Sequence, residues 1–274
     1  MFSARIFGFL AALAVFGGVT PTAWADPPRR SANAAYRANM RRWHDADAIP
    51  AARFTEDGRL ILRLRSLNAM GTAEITPQTP DGGFDEAACA EVSRVFADSR
   101  TRRQAPIDRR LIEMVYQIAR HFRAGQVTVV SGYRAEAGSS NHAQGRAVDI
   151  LIPGVSDSAI AAYARTLGFA GVGVYPAGGF VHVDVRTRSF FWVDRSGPGR
   201  PSRSRRSRRR GRSRGGVNEI MGELARRSDT EARARGVSPF GGMRGASQPG
   251  GRGLQAQTQA QGATSEATAD DDDE

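Results

Sequence analysis

The stretch "GVGVYPAGGFVHVDV" (171–185) decides the fold. Two short runs rich in valine flank a turn of proline and glycine, and this layout predicts two strands joined by a turn. His182 and Asp184 lie two residues apart in the second run. Since alternate residues of a strand point to the same side, we expect both side chains on one face of a sheet.

A second stretch, "SSNHAQGRAVDIL" (139–151), supplies another histidine and another acid. His142 lies in a loop of small and polar residues, and Asp149 follows in the predicted strand "RAVDILI". Considered alone, His142 is consistent with an ordinary loop histidine, and His182 is consistent with a buried core residue. Together, two histidines and one carboxylate form a zinc-ligand set that leaves a fourth position for water. The combined pattern favours a catalytic zinc site.

The segments around these stretches alternate between strand and helix patterns. Asp85, Asp108 and Ser156 are placed to cap three amphipathic helices at their first turns. The predicted helices are "FDEAACAEVSRVFAD", "PIDRRLIEMVYQIARHF" and "VSDSAIAAYARTLG", and the further strands are "GRLILRLRSL", "QVTVVSG" and "FFWV". We therefore predict an α+β fold, a small, mostly antiparallel sheet flanked by helices, with the zinc site on the sheet.

The 274 residues divide into four predicted segments. Residues 1–25 combine Arg5, an apolar run and an Ala-Trp-Ala site, which is typical of a secretory signal peptide; an uncleaved anchor is the alternative. Residues 26–56 are an Arg/Ala-rich linker, 57–195 the folded domain and 196–274 a disordered tail. Within that tail, "VNEIMGELARRSDTEARARG" is expected to form a helix only transiently. We expect a periplasmic or secreted bacterial protein without a transmembrane segment in the mature chain.

The charge of the chain is concentrated in this tail. The net charge is +11, no lysine is present, and the run 200–214 is dominated by arginine. Such a run binds polyanions by counterion release. Export argues against nucleic acid and favours envelope polyanions; a solvated tail, partly neutralised by the terminal "DDDDE", is the alternative. The single Cys89 excludes an intramolecular disulfide, and nothing indicates an oligomer, so we expect a monomer.

Three motifs together resemble the zinc D-alanyl-D-alanine carboxypeptidase superfamily, which also includes murein endopeptidases and the hedgehog-type fold. The motifs are "SGYR" (131–134), the pattern SxHxxGxAxD at 140–149, and "GVGVYP" followed by "GFVHVDV". The resemblance covers about 58–193 and is strongest for an exported bacterial subfamily of uncharacterised function. It implies that 57–195 is a zinc peptidase-like domain with Zn²⁺ bound by His142, Asp149 and His182.

The resemblance also implies residues that bind substrate. Arg134 would pair with a substrate carboxylate, for which its planar fork is suited, unless it forms a structural ion pair instead. Ser140 would hydrogen-bond near the metal or the substrate, or cap a turn. Tyr133 and Tyr175 would line the cleft, or pack in the interior.

One position departs from the best-studied carboxypeptidase pattern. A catalytic Glu lies there three residues before the last histidine ligand, whereas this chain has Gly179. Asp184 is the nearest carboxylate, and we predict it as the catalytic base; holding a ligand histidine from outside is the alternative. The predicted function is a zinc metallopeptidase that hydrolyses a D-amino-acid-containing amide bond in peptidoglycan stem peptides or cross-links. The alternative is a non-catalytic, zinc-stabilised module that binds the cell wall.

Overall fold

The computed structural model describes residues 29–68, 71–196 and 215–239, and the described residues form helices and one sheet. Five helices are present in them: α1 Arg29–Trp43, α2 Glu86–Val95, α3 Arg109–His121, α4 Asp157–Thr166 and α5 Gly215–Ala234. The seven strands are β1 Leu62–Ser66, β2 Thr72–Ile75, β3 Val127–Ser131, β4 Ala147–Leu151, β5 Ala170–Tyr175, β6 Phe180–Val185 and β7 Phe190–Val193. The predicted α+β class is confirmed.

The sheet is mixed rather than purely antiparallel. Its strand order is β2-β1-β3-β4-β6-β5-β7. Four pairings are antiparallel, but β1–β3 and β5–β7 are parallel. The first parallel pair arises because α2 and α3 form the crossover between its strands, as parallel pairing requires. The second arises because β7 returns to the far side of β5 after the intervening reversal through β6.

The predicted helix starts are confirmed by their capping bonds. Asp85 accepts a hydrogen bond from the backbone N–H of Ala88, Asp108 from that of Arg110, and Ser156 from that of Ala159. These bonds satisfy amide groups that have no partner inside the helix. One face of the sheet packs against these helices and forms the hydrophobic core with them. The face with His182 lies on the other side.

Two helices lie in segments that we expected to be linker and tail. In α1, the Tyr36 hydroxyl donates a hydrogen bond to the Gly178 carbonyl, at 2.7 Å. In α5, Ala225 and Ala232 are buried against the domain. Small side chains at these positions permit close packing, which overall composition does not reveal. Helices α1 and α5 thus lie outside the predicted bounds 57–195 and contact residues within them.

Several sequence-based expectations fall outside the described residues. The signal peptide 1–25, the arginine run 200–214 and the acidic C-terminus are among them. Within the described residues, no helix has the length and apolar character that crossing a membrane would demand.

Candidate metal centre

His142 is fixed by the loop between β3 and β4. Its ring nitrogen Nδ1 lies 2.7 Å from the Gly132 carbonyl oxygen, so Nδ1 carries the proton and donates it. The loop approaches the start of α3 so closely that a Cβ at Gly145, where φ is +65°, would overlap the Pro106 carbonyl. The buried imidazole consequently presents the lone pair of Nε2.

Asp149 and His182 meet because β4 and β6 are antiparallel neighbours. The two residues are directly paired across the strands and project to the same face. His182 Nδ1 lies 2.8 Å from Asp149 Oδ1 and 3.2 Å from His142 Nε2, and His142 Nε2 lies 3.5 Å from Asp149 Oδ1. The predicted trio is therefore brought together in one buried cluster.

The donor set of this cluster fits a small divalent cation. Tetrahedral zinc with bonds of about 2.0–2.1 Å places its ligand atoms roughly 3.3 Å apart, close to the separations here. The outer nitrogen of His182, Nε2, lies 2.9 Å from Asp184 Oδ2 and donates to it. When both rings are neutral and carry their proton on the outer nitrogen, two ring lone pairs and a carboxylate oxygen face one another. Such a group of acceptors is favourable only around a cation.

The electrostatics of the cluster also favour positive charge at its centre, here as a proton on His182. Burial alone would lower the pKa of His182, but its hydrogen bonds to Asp149 and Asp184 outweigh burial and raise that pKa to about 9. Burial opposes ionisation of Asp149, yet both histidines hold the pKa of its carboxyl well below the ordinary range. The centre thus favours ionised carboxylates and attracts positive charge.

Asp184, the predicted base, lies on the outer side of His182. Its carboxylate is fully buried and binds the Arg186 guanidinium at two points, 2.5 Å from Nε and 2.7 Å from Nη2. Burial would raise the pKa of Asp184, but His182 and Arg186 hold it at about 2. Both carboxylate oxygens already have donors, and the carboxylate contacts the ring nitrogen that points away from Asp149.

Arg134 lies at the edge of the centre. Its Nη2 contacts the second oxygen of Asp149, and its Nε donates to the Ser131 hydroxyl at 2.7 Å. Nearly half of the side chain, 46%, remains exposed, so part of the guanidinium faces solvent. Ser140 caps a turn, since its hydroxyl accepts a bond from the Ala143 backbone at 3.2 Å.

An aromatic group lies on the same side of the sheet. Tyr175 stacks on Phe180 with ring centroids 4.7 Å apart, and its hydroxyl accepts a hydrogen bond from Trp192 Nε1 at 3.2 Å. The Trp192 ring lies 5.2 Å from that of His182. Tyr133 is half-buried, and its backbone N–H donates to the Phe96 carbonyl at 2.7 Å.

The contribution of Trp192 and Arg186 to the site was not predicted from the sequence. Two glycines of β5 nevertheless indicate that large side chains lie beside them. Gly171 and Gly173 are cross-strand partners of Asp184 and His182. A Cβ at Gly173 would overlap the Trp192 indole, and one at Gly171 would overlap the Asp184 and Arg186 side chains. Alternate glycines opposite two polar residues therefore mark space reserved for large side chains.

Gly179 occupies the position where the related carboxypeptidases have their Glu. Its φ is +66°, a left-handed conformation that glycine tolerates. A Cβ at this position would overlap the end of the Met40 side chain from α1. The Gly179 carbonyl also lies 3.0 Å from His44 Nε2. Helix α1 thus fills the space that a larger residue at this position would need.

A family profile and several relatives similar to this chain share one description. The profile of the family described as peptidoglycan L,D-endopeptidase MepK matches residues 54–189. The probable peptidoglycan L,D-endopeptidase MepK of Haemophilus influenzae is 30% identical over 118 residues, which are 38% of this chain and 63% of that protein. The peptidoglycan L,D-endopeptidase MepK of Escherichia coli K12 is 30% identical over 139 residues, covering 45% and 76%.

The matches cover only part of this chain and of its relatives. The chain spans less than two thirds of the Haemophilus protein's length. Helices α1 and α5 both lie outside the residues that the family profile matches. No solved structure matches this chain.

Proposed function

Because the chain belongs to the family of peptidoglycan L,D-endopeptidases, we propose that it is a zinc metallopeptidase acting on peptidoglycan. Membership confirms the superfamily that the sequence motifs resemble. The proposed reaction is hydrolysis of an amide bond between an L-centre and a D-centre within stem peptides or their cross-links. This substrate lies outside the cytoplasmic membrane, in agreement with the export signal expected from residues 1–25.

The convergence of three ligand atoms carries this proposal. His142 Nε2, His182 Nδ1 and Asp149 Oδ1 lie within 3.5 Å of one another, and each histidine has an acceptor for its other nitrogen. These three residues would hold Zn²⁺. When bound there, zinc would polarise the scissile carbonyl and supply hydroxide at neutral pH.

Arg134 is proposed to orient the substrate. Ser131 and Asp149 hold one side of its guanidinium, which restricts the side chain before substrate binds. The exposed side retains donors for a carboxylate of the stem peptide. Arg134 therefore combines both roles considered for it, an ion pair within the protein and a contact for substrate.

For Asp184 we propose the positioning role instead of the base. Accepting the Nε2–H of His182 keeps the lone pair of Nδ1 directed at the metal position. A carboxylate held ionised by Arg186, with a pKa of about 2, is a poor proton acceptor near neutral pH. We assign Ser140 to turn capping and Tyr175, with Trp192, to the wall of the cleft.

One observation favours the second candidate, a zinc-stabilised wall-binding module. Position 179 has no carboxylate, and the acid beside His182 is bound by Arg186. A module of this kind would bind zinc and peptidoglycan without turnover.

Digestion of purified sacculi separates the two candidates. Wild-type protein with one zinc per chain should release peptide fragments, and His142→Ala should release none. Loss of cross-linked dimers would identify endopeptidase action, whereas release of single D-alanine would identify a carboxypeptidase. A zinc-loaded wild type that binds sacculi but leaves their composition unchanged would support the binding module.

A further inference from the structure

Helix α5 presents a buried polar face to the domain. Ala232 packs so closely on Gly168 that a Cβ at Gly168 would overlap it, and the Ser228 hydroxyl contacts the Arg165 carbonyl. Asp229 lies between these contacts and is buried. A buried carboxylate is costly unless donors surround it, so its partners indicate what α5 holds in place.

Asp229 accepts hydrogen bonds from the residues that directly precede two strands. Its Oδ1 accepts the backbone N–H of Phe169 at 2.7 Å and the Ser189 hydroxyl at 2.6 Å, and its Oδ2 accepts the Ser189 backbone N–H at 2.9 Å. Phe169 directly precedes β5, and Ser189 directly precedes β7. One side chain of α5 therefore fixes the residues that lead into two strands beside the metal centre.

Phe169 has a backbone conformation that needs such support. Its φ is +50°, in the left-handed region that a bulky side chain rarely adopts without cost. The guanidinium of Arg233, also from α5, lies 5.0 Å from its ring centroid, and that of Arg110 lies 5.5 Å away. Residues of α5 thus contact both the backbone and the ring of this strained residue.

From Phe169 the contacts continue to the metal centre. The Phe169 carbonyl accepts the backbone N–H of Arg186 at 2.8 Å, and Arg110 donates to the carbonyls of both residues. The Arg186 side chain binds Asp184, which in turn accepts the Nε2–H of His182. Hydrogen bonds, joined through the covalent frames of Phe169 and Arg186, thus connect α5 to the proposed ligand His182.

We propose that Asp229 is a positioning residue for the metal centre, acting through Phe169, Arg186 and Asp184 on His182. This rests on the proposed role of His182 as a ligand. Helix α5 lies outside the family match at 54–189, so the device belongs to this chain's C-terminal segment.

The test compares Asp229→Asn with Glu231→Gln in the full chain. Glu231 lies on the exposed face of the same helix, paired with Arg227, and serves as the matched control. Zinc affinity is measured by competition with a chelator, and stability of the metal-free protein by thermal unfolding. Losing a direct outer partner of a ligand costs about 10–100-fold in affinity, so for the more remote Asp229 we expect about three- to tenfold.

A double-mutant cycle with Arg186→Gln distinguishes positioning from general destabilisation. If Asp229 acts through Arg186, Asp229→Asn should weaken zinc binding in the wild type but add little in the Arg186→Gln background. Equal fold-changes in both backgrounds would overturn the proposal, as would unchanged zinc affinity in folded Asp229→Asn. Should that variant fail to fold, Ser189→Ala, which removes one donor to Asp229, takes its place in the cycle.

The experiment also separates this inference from the proposed function. A wild type that binds no zinc would contradict the metal centre itself. A wild type that binds zinc tightly, with an Asp229→Asn variant of equal affinity, would contradict only the role of α5.

Discussion

The two faces of strands β4, β5 and β6 hold the protein together in different ways. The face toward the helices is apolar, and five of its side chains are fully buried: Val148, Ile150, Val172, Val181 and Val183. The opposite face carries Asp149, His182 and Asp184, which are also buried but joined by hydrogen bonds. Adjacent residues of one strand thus contribute to two interactions of different physical character.

This difference predicts how each face responds to change. Apolar burial is non-directional and scales with the area removed from water, so its loss reduces stability in proportion. Hydrogen-bonded charges depend on direction, and removal of one leaves its neighbours unsatisfied. Substitutions on the helix face should therefore change the free energy of unfolding, and those on the polar face should change metal binding.

The largest contrast is expected between two neighbouring residues of β4. Asp149→Ala removes a proposed zinc ligand, so zinc affinity and activity should fall by more than the ~10–100-fold typical of outer partners. Ile150→Ala should instead lower the free energy of unfolding by about 2–5 kcal/mol and keep one zinc per chain. Metal content by mass spectrometry and denaturant unfolding measure the two effects. Equal zinc loss in a folded Ile150→Ala variant would show that the faces are not independent.

Asp184→Asn tests the polar face without removing a ligand. We expect roughly 10–100-fold weaker zinc affinity, with much of the activity recovered at saturating zinc, because the residue orients His182. Chelator competition and sacculus digestion over a zinc titration measure this. Glu74→Gln, at an exposed ion pair with Arg53 and Arg63, is the control. Unchanged zinc affinity with abolished turnover would restore Asp184 as the base.

Gly173→Ala and Val172→Ala change the two opposite faces of β5. The added methyl overlaps Trp192, so we expect a cost of about 1–3 kcal/mol in unfolding free energy and a displaced indole. Val172→Ala, on the helix face, should reduce stability without moving Trp192. Tryptophan fluorescence together with denaturant unfolding distinguishes them. Identical fluorescence in Gly173→Ala and the wild type would contradict the packing described for Trp192.

The smallest expected effect concerns pH and the loop that carries Arg134. Asp98 accepts backbone N–H bonds from Thr101, Ala135 and Arg100, which lower the pKa of its carboxyl despite burial. A pKa depressed on folding contributes stability above the ordinary aspartate value of about 3.9, and that contribution disappears as pH falls below it. Asp98→Asn should therefore flatten the loss of stability between about pH 5 and pH 3.

Unfolding free energies across this pH range provide the measurement for that prediction. Ile150→Ala is the control, because loss of apolar burial should lower stability equally at every pH. An Asp98→Asn variant as acid-sensitive as the wild type would show that the carboxylate does not support the loop through its ionised form.

Much of the fold and the centre was predictable because the signals are local. The caps at Asp85, Asp108 and Ser156 and the same-face spacing of His182 and Asp184 need only a few neighbouring residues. The parallel pairings were missed because strand order depends on how distant segments return to the sheet. The domain boundaries, the individual site roles and the polyanion partner of the arginine run remain predictions.

The sequence by itself determined the alternation of the strands, the helix caps and the presence of two histidines and an acid suited to zinc. Only the tertiary structure decided that Arg186 binds Asp184, that Met40 from α1 closes the space at Gly179, and that α5 supports Phe169. The physical reason is the distance along the sequence between the residues that interact. Periodicity and capping arise from neighbours along the chain, whereas a side chain's partners across the sheet are set by the packing of segments far apart in sequence.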